Sequence, residues 1–222
     1  YQSEHFASDP ANRENIATSD SPYRWARLEE LLNRHTPLTP ASAASVLRNR
    51  AGLNDAPIGW TNEKAINQCI AHHGVIFQPA KRRMWLSTDP WQAGRMLCYD
   101  LHTFFTAEKP LRASQCLEAH SIAADTAFLR AEYPRVKAHR ALTAALRDQL
   151  RRGEQVERVL LDSLVANNPH YYGVYDLRGD ALLREGAVEE ACKAWQEALK
   201  CEIPRLNEKK IIEQKLSEYG TR

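Results

Sequence analysis

No stretch of this sequence approaches the ~20 consecutive apolar residues that a membrane-spanning helix needs, so no helical membrane span is expected. Cysteine is scarce. The five are Cys69, Cys98, Cys116, Cys192 and Cys201, an odd number with no CxxC pair. That count and spacing argue against a disulfide scaffold or a zinc ribbon and read as free thiols, most of them buried. Such usage fits a reducing compartment and also occurs in periplasmic proteins, so both bacterial compartments stay open. Neither sign of charge dominates, with 30 basic and 28 acidic residues. The balance also holds from Val136 onward, where 15 basic face 14 acidic residues. Nucleic-acid binders usually carry a basic excess or stripe, so nucleic acid is not an expected partner. The first residues, YQSEHFASDPANRENIA, lack the charged start and apolar stretch of a signal peptide. Eight histidines are present, but no HExxH or comparable spacing, which disfavours a zinc hydrolase. No metal or other cofactor is expected.

What is present reads as a globular protein. Hydrophobic residues make up 43% of the chain, enough to bury a core. Ser21 and Pro22 form a cap-plus-proline helix start. Trp25, Leu28, Leu31 and Leu32 then follow at helical spacing, with an end near His35. Thr39-Pro40 repeats the signal and opens a second helix carrying Ala44 and Leu47. Thr61 to Asn67 reads as a short helical turn or a connector. Val75, Ile76 and Phe77 are strand formers. Gln78 to Lys81 form a turn, and Met84, Trp85 and Leu86 resume the apolar run, which predicts a β-hairpin. Arg95 to Leu101 predicts a third strand. His72 and His73 precede the hairpin. As strand neighbours they point to opposite faces, which argues against a shared metal ligand or catalytic pair.

From Ala113 the pattern is helical, through SQCLEAHSIAADTAFLRAEY, VKAHRALTAALRDQLRRG, VERVLLDSLVANNP and EKKIIEQKLSEY. Between the last two, YDLRGDALLREGAVEEACKAWQEALKCEIP resembles a tetratricopeptide repeat. Tyr175, Gly179, Leu182, Ala191, Trp195 and Ala198 stand at its consensus positions, and Pro204 lies one position beyond the expected proline. A weaker copy lies upstream, with its turn at Arg152-Gly153 and its end at Asn168-Pro169. EKKIIEQKLSEY would cap the pair.

Three stretches of the first 105 residues resemble an autoproteolytic acyltransferase/hydrolase family. They are YQSEHFASDP, SPYRWARLEELL and AINQCIAHHGVIFQPAKRRMWLSTDPWQAGRMLCYDL. The family includes acyl-coenzyme A:6-aminopenicillanate acyltransferase and belongs to the N-terminal-nucleophile (Ntn) hydrolases, peptidase family C45. The resemblance implies an α+β fold: part of an αββα sandwich over 1–105, a helical linker over 106–135, and repeat-like helices over 136–222. It places His72 and His73 at a sheet edge and outside the catalytic set.

The resemblance also implies chemistry that these residues do not complete. In the family a cysteine becomes the new N-terminus after self-cleavage, and its thiolate attacks an amide or thioester carbonyl with its own α-amino group as base. This chain begins at Tyr1 and none of its cysteines matches that motif, so the nucleophile is expected in an upstream segment or chain. The resemblance assigns Ser21 and Arg24 to a Ser-x-x-Arg motif, where the guanidinium holds a substrate carboxylate or orients the nucleophile. The competing reading makes Ser21 only a cap and Arg24 only a surface pair. Glu4 and His5 are the remaining substrate-side candidates. Glu4 stands where the family pattern has asparagine, and an ionised carboxylate cannot donate to an oxyanion. The expected activity is thus the C-terminal portion of an Ntn amidohydrolase or acyltransferase acting on small amide or acyl substrates, inactive by itself. The alternative is a helical-repeat module that binds a peptide or protein without catalysis.

Overall fold

A computed structural model describes residues 9–70, 73–106 and 116–220. The helices are α1 (Pro10–Thr18), α2 (Ser21–Arg34), α3 (Pro40–Leu47), α4 (Leu101–Thr106), α5 (Thr126–Ala131), α6 (Tyr133–Arg152), α7 (Arg158–Asn167), α8 (Tyr172–Arg184), α9 (Val188–Lys200) and α10 (Leu206–Tyr219). The strands are β1 (Val75–Gln78), β2 (Arg83–Ser87) and β3 (Met96–Asp100), joined as one antiparallel sheet in that order. The fold is therefore mixed α+β, dominated by helix. No described helix is long and apolar enough to cross a membrane. Two compact units share the chain. One gathers Tyr1–Arg27, Ala51–Ala65 and Arg135–Arg222, and the other gathers Leu28–Arg50 and Ile66–Pro134.

The sheet lies in the second unit. The predicted hairpin forms, with Val75 opposite Leu86 and Phe77 opposite Met84. The third strand pairs Trp85 with Cys98 and Leu86 with Leu97. Ile76, Trp85 and Cys98 form one buried row, and Ala44 of α3 packs in the same core. The Trp85 indole N–H donates to the carbonyl of His120 at 2.8 Å, which satisfies the polar end of a buried ring. Helix α3 starts as its sequence predicts. Thr39 accepts from the amide of Ser42 at 3.1 Å, and Ser42 Oγ accepts from the amide of Thr39 at 2.8 Å, a reciprocal capping box.

The opposite face of the sheet is also apolar. Val75, Leu86 and Leu97 make one cross-strand row, and Phe77, Met84 and Tyr99 make the next. Val75 and Phe77 are exposed, Phe77 at 61%, and the other four are half-buried. An antiparallel sheet with one solvated face alternates apolar and polar side chains. This sheet does not.

The segment after Cys116 departs from the helical expectation. It holds a short 3-10 turn at Glu118–His120, and only Thr126–Ala131 is helical before α6. The reason is pairing at the edge of β3. Leu117 donates its amide to Cys98 O at 2.7 Å, and Met96 and Ile122 exchange amide bonds at 3.0 and 2.9 Å. Thr61 to Asn67 forms turns and no helix. Helix α1 has no counterpart in the sequence reading, although Asp9-Pro10 carries the same signal as Thr39-Pro40. Asp9 accepts from the amide of Ala11 at 2.8 Å.

In the first unit the helices predicted from Val136 onward all form. Leu146, Leu161, Leu164, Val174, Leu182, Trp195 and Ile212 share one buried core. Gly179 lets α8 meet the Trp195 ring, since a Cβ there would stand 2.3 Å from the indole nitrogen. Gly186, at φ +80°, turns α8 into α9, a conformation that favours glycine. Lys215 of α10 reaches Asp176 at 2.8 Å and Asp180 at 2.6 Å on α8.

Candidate functional site

Ser21 and Arg24 stand at the start of α2, in the first unit. Ser21 is the first helical residue, so the cap position falls one residue earlier, on the buried Asp20. The Ser21 amide donates to Ser19 Oγ at 3.3 Å. One turn on, Arg24 donates through Nη1 to Asp20 Oδ2 at 3.2 Å and to the carbonyl of Glu63 at 3.0 Å. Those two contacts hold the guanidinium through a single nitrogen. Its Nε–Nη2 edge has no partner among the described residues, and the side chain is 34% exposed. Such an edge matches the two oxygens of a carboxylate.

The carbonyl that holds Arg24 belongs to a polar strap, residues 58–64. Asn62 is fully buried and donates to Ile58 O at 2.9 Å and Glu202 O at 2.8 Å. Trp60 and Asn168 exchange bonds: the Trp60 amide donates to Asn168 Oδ1 at 3.1 Å, and Asn168 Nδ2 donates to Trp60 O at 3.2 Å. Lys64 pairs with Glu202 at 2.6 Å and lies over the Tyr23 ring at 4.5 Å. Thr61 sits at φ +66°, a costly conformation for a β-branched residue.

Charge is concentrated around the strap. Glu63 pairs with Arg205 at 3.0 Å. Burial raises the Glu63 carboxyl above its ordinary range, Arg205 opposes that, and Glu208 and Asp20 add to it. Tyr171 and Tyr172 stack edge-on at 5.0 Å. Burial raises both phenols, and Glu208 raises them further. His139 of α6 meets Tyr171 edge-on at 5.6 Å. It is 3% exposed, and its Nδ1 has no hydrogen-bond partner. Burial, with Arg140 and Arg147 nearby, lowers its pKa to about 4.

The structure places Ser21 and Arg24 one turn apart on α2 and holds Arg24 against Asp20 and the carbonyl of Glu63, whose carboxylate pairs with Arg205. Glu4, His5 and His72 lie outside the described residues. The sequence alone reads AGLNDAPIG as a loop and Thr61 to Asn67 as a short helical turn or a connector, and it does not reveal the strap's partners. The adjacent tyrosines after Pro169 were the available signal, but the contacts joining 62 to 202 leave no local trace. The open edge of Arg24 suits an anion, and no cysteine lies among these residues. Cys69 and Cys98 are buried, and the other three thiols are half-buried. Burial pushes the Cys98 and Cys201 thiols up, the opposite of what an attacking thiolate needs. No group of three or more metal-ligating side chains occurs among the described residues. Set against family models, curated proteins and solved structures, the chain matches none.

Proposed function

We propose that this chain is the C-terminal part of an autoproteolytic Ntn amidohydrolase or acyltransferase that acts on small amides or acyl thioesters. The observation that carries the reading is the sheet that is apolar on both faces. A sheet built in that way suits the inside of a layered sandwich, with helices on one side and a second sheet on the other. Ile76, Trp85 and Cys98 already meet α3. The rows Val75–Leu86–Leu97 and Phe77–Met84–Tyr99 are then the side that meets the second sheet. On this reading a preceding segment supplies that sheet and the cysteine nucleophile. The α-amino group takes the thiol proton, the thiolate attacks the carbonyl, the amine or thiol of the substrate leaves with that proton, and the acyl-enzyme passes to water or to an amine. Arg24 contributes its open guanidinium edge as a carboxylate anchor for the substrate.

Intact-mass measurement on the full-length gene product tests the proposal. Two chains are expected, the later one beginning with cysteine, and replacement of that cysteine leaves one unprocessed chain. A single chain of full mass, unchanged by replacement of each upstream cysteine, overturns it.

A second reading, a repeat-like peptide-binding module, is favoured by one observation. A groove of about 290 Å³ runs between α8 and α9, with Tyr175, Leu182 and Ala194 in its lining and Arg178 and Lys193 beside them. Peptide capture by the whole chain that fails in Lys193→Glu, shown folded by circular dichroism, would favour it.

A further inference from the structure

Helix α6 holds the basic excess of the helical unit. It carries six basic residues and one acid, Asp148. Helices α7 and α8 are balanced, α9 is acidic by one, and α10 is balanced. The near-neutral total of the chain conceals this local excess.

The charges are also aligned. Lys137, Arg140, Ala144, Arg147 and Arg151 succeed one another at steps of three, four, three and four residues, and all five are exposed. At helical geometry the four basic side chains lie within about 80° of the circumference and span about 21 Å. The buried face of the same helix is carried by Val136, His139 and Leu146. Asp148 lies beside the row and pairs with Arg152 at 2.9 Å and with Arg151 at 3.4 Å.

We infer that this face of α6 docks an acidic α-helix of a partner protein, one with glutamates repeating at the same three- and four-residue steps. Complementary charge is the argument for that occupant. The spacing presents a straight seam, and Ala144 at its centre lets a second helix approach. The exposed residues between the charges are Ala138, Ala141, Ala144 and Ala145. They offer no apolar side chain large enough to enter a lipid surface and no ring on which the bases of a single strand could stack; a duplex, whose phosphates need no ring, is the competing occupant that the binding test separates. The inference stands apart from the proposed catalysis, because none of these residues belongs to the Arg24 cluster.

Fluorescence anisotropy on the whole chain tests it, with a labelled 21-residue helical peptide carrying glutamate at each a and d heptad position as the probe. Binding at about 50 mM salt is expected, weakening roughly tenfold or more by about 300 mM as screening sets in. Arg140→Glu/Arg147→Glu should lose at least tenfold in affinity, and Arg140→Gln/Arg147→Gln several-fold. Lys209→Glu/Lys210→Glu on α10 should bind as the parent does. The inference is overturned if the peptide does not bind at low salt, or if both α6 variants, shown folded by circular dichroism, bind unchanged. Tighter binding of duplex DNA or of phosphatidylserine vesicles at equal salt also overturns it.

Discussion

A single hydrogen at position 179 decides how closely α8 approaches Trp195. A methyl group there meets a buried ring that has no room to move, so Gly179→Ala loses more to overpacking than it gains in helix propensity. We expect a loss of about 2 kcal/mol, read from urea unfolding at constant m-value. His139 makes a second prediction. Its pKa is near 4 when folded and about 6.5 when unfolded. Between those values the unfolded chain takes up the proton and the folded chain does not. Stability is therefore fully present above about pH 6.5 and falls as pH drops toward 4, by at most about 1.4 kcal/mol per pH unit. His139→Leu should flatten that slope in melts followed from pH 7 to pH 4. Gly179 and Trp195 were legible in the sequence as packing positions through their resemblance to a repeat consensus. His139 was not, since burial of a helix-borne histidine depends on what lies across from it, here Tyr171.

Elements were legible where the local signal and the long-range packing agree. The hairpin, the third strand and the Thr39-Pro40 helix start are of this kind, whereas α2 begins one residue ahead of its expected Ser21 cap. The stretch from Cys116 to Ile122 is the opposite case: its composition suits a helix, and the free edge of β3 offered it better-satisfied backbone bonds. Arg48 shows how such an edge is held. It donates to Gln92 O at 2.9 Å, and to Gly94 O and Ala123 O at 2.8 Å each. Burial lowers its pKa, with Asp125 opposing that. Arg48→Met keeps the stem and leaves three carbonyls without that donor. We expect it to cost about 2 kcal/mol and to lower the thermal midpoint, with Arg48→Lys recovering part of the loss. The sheet makes a separate prediction. Trp85→Ala should cost about 3–5 kcal/mol, measured by chemical denaturation, whereas Phe77→Ser should leave the stability of this chain nearly unchanged because Phe77 is largely exposed here.

At the scale of the molecule, the chain does not fold as beads on a string. The helices from 135 to 222 share a unit with Ala51–Ala65, and the strap's bonds to Asn168 and Glu202 are part of that unit. A fragment of residues 136–222 should therefore melt well below the whole chain, by circular dichroism, even though it contains α7–α10 intact. Adding a synthetic peptide of residues 51–65 should raise the fragment's midpoint. Composition could not foretell this, because it sees neighbours along the chain and not partners far apart on it.

The bond between Asn62 and Glu202 spans 140 residues. On a ribosome adding about 5–20 residues per second, Asn62 emerges many seconds before its partner exists. For that interval the strap has Tyr23 and Arg24 but not its partners at Asn168 and Glu202, and its tryptophan lies open to chaperones. Synthesis rate, and not only sequence, thus enters the yield of correctly assembled protein.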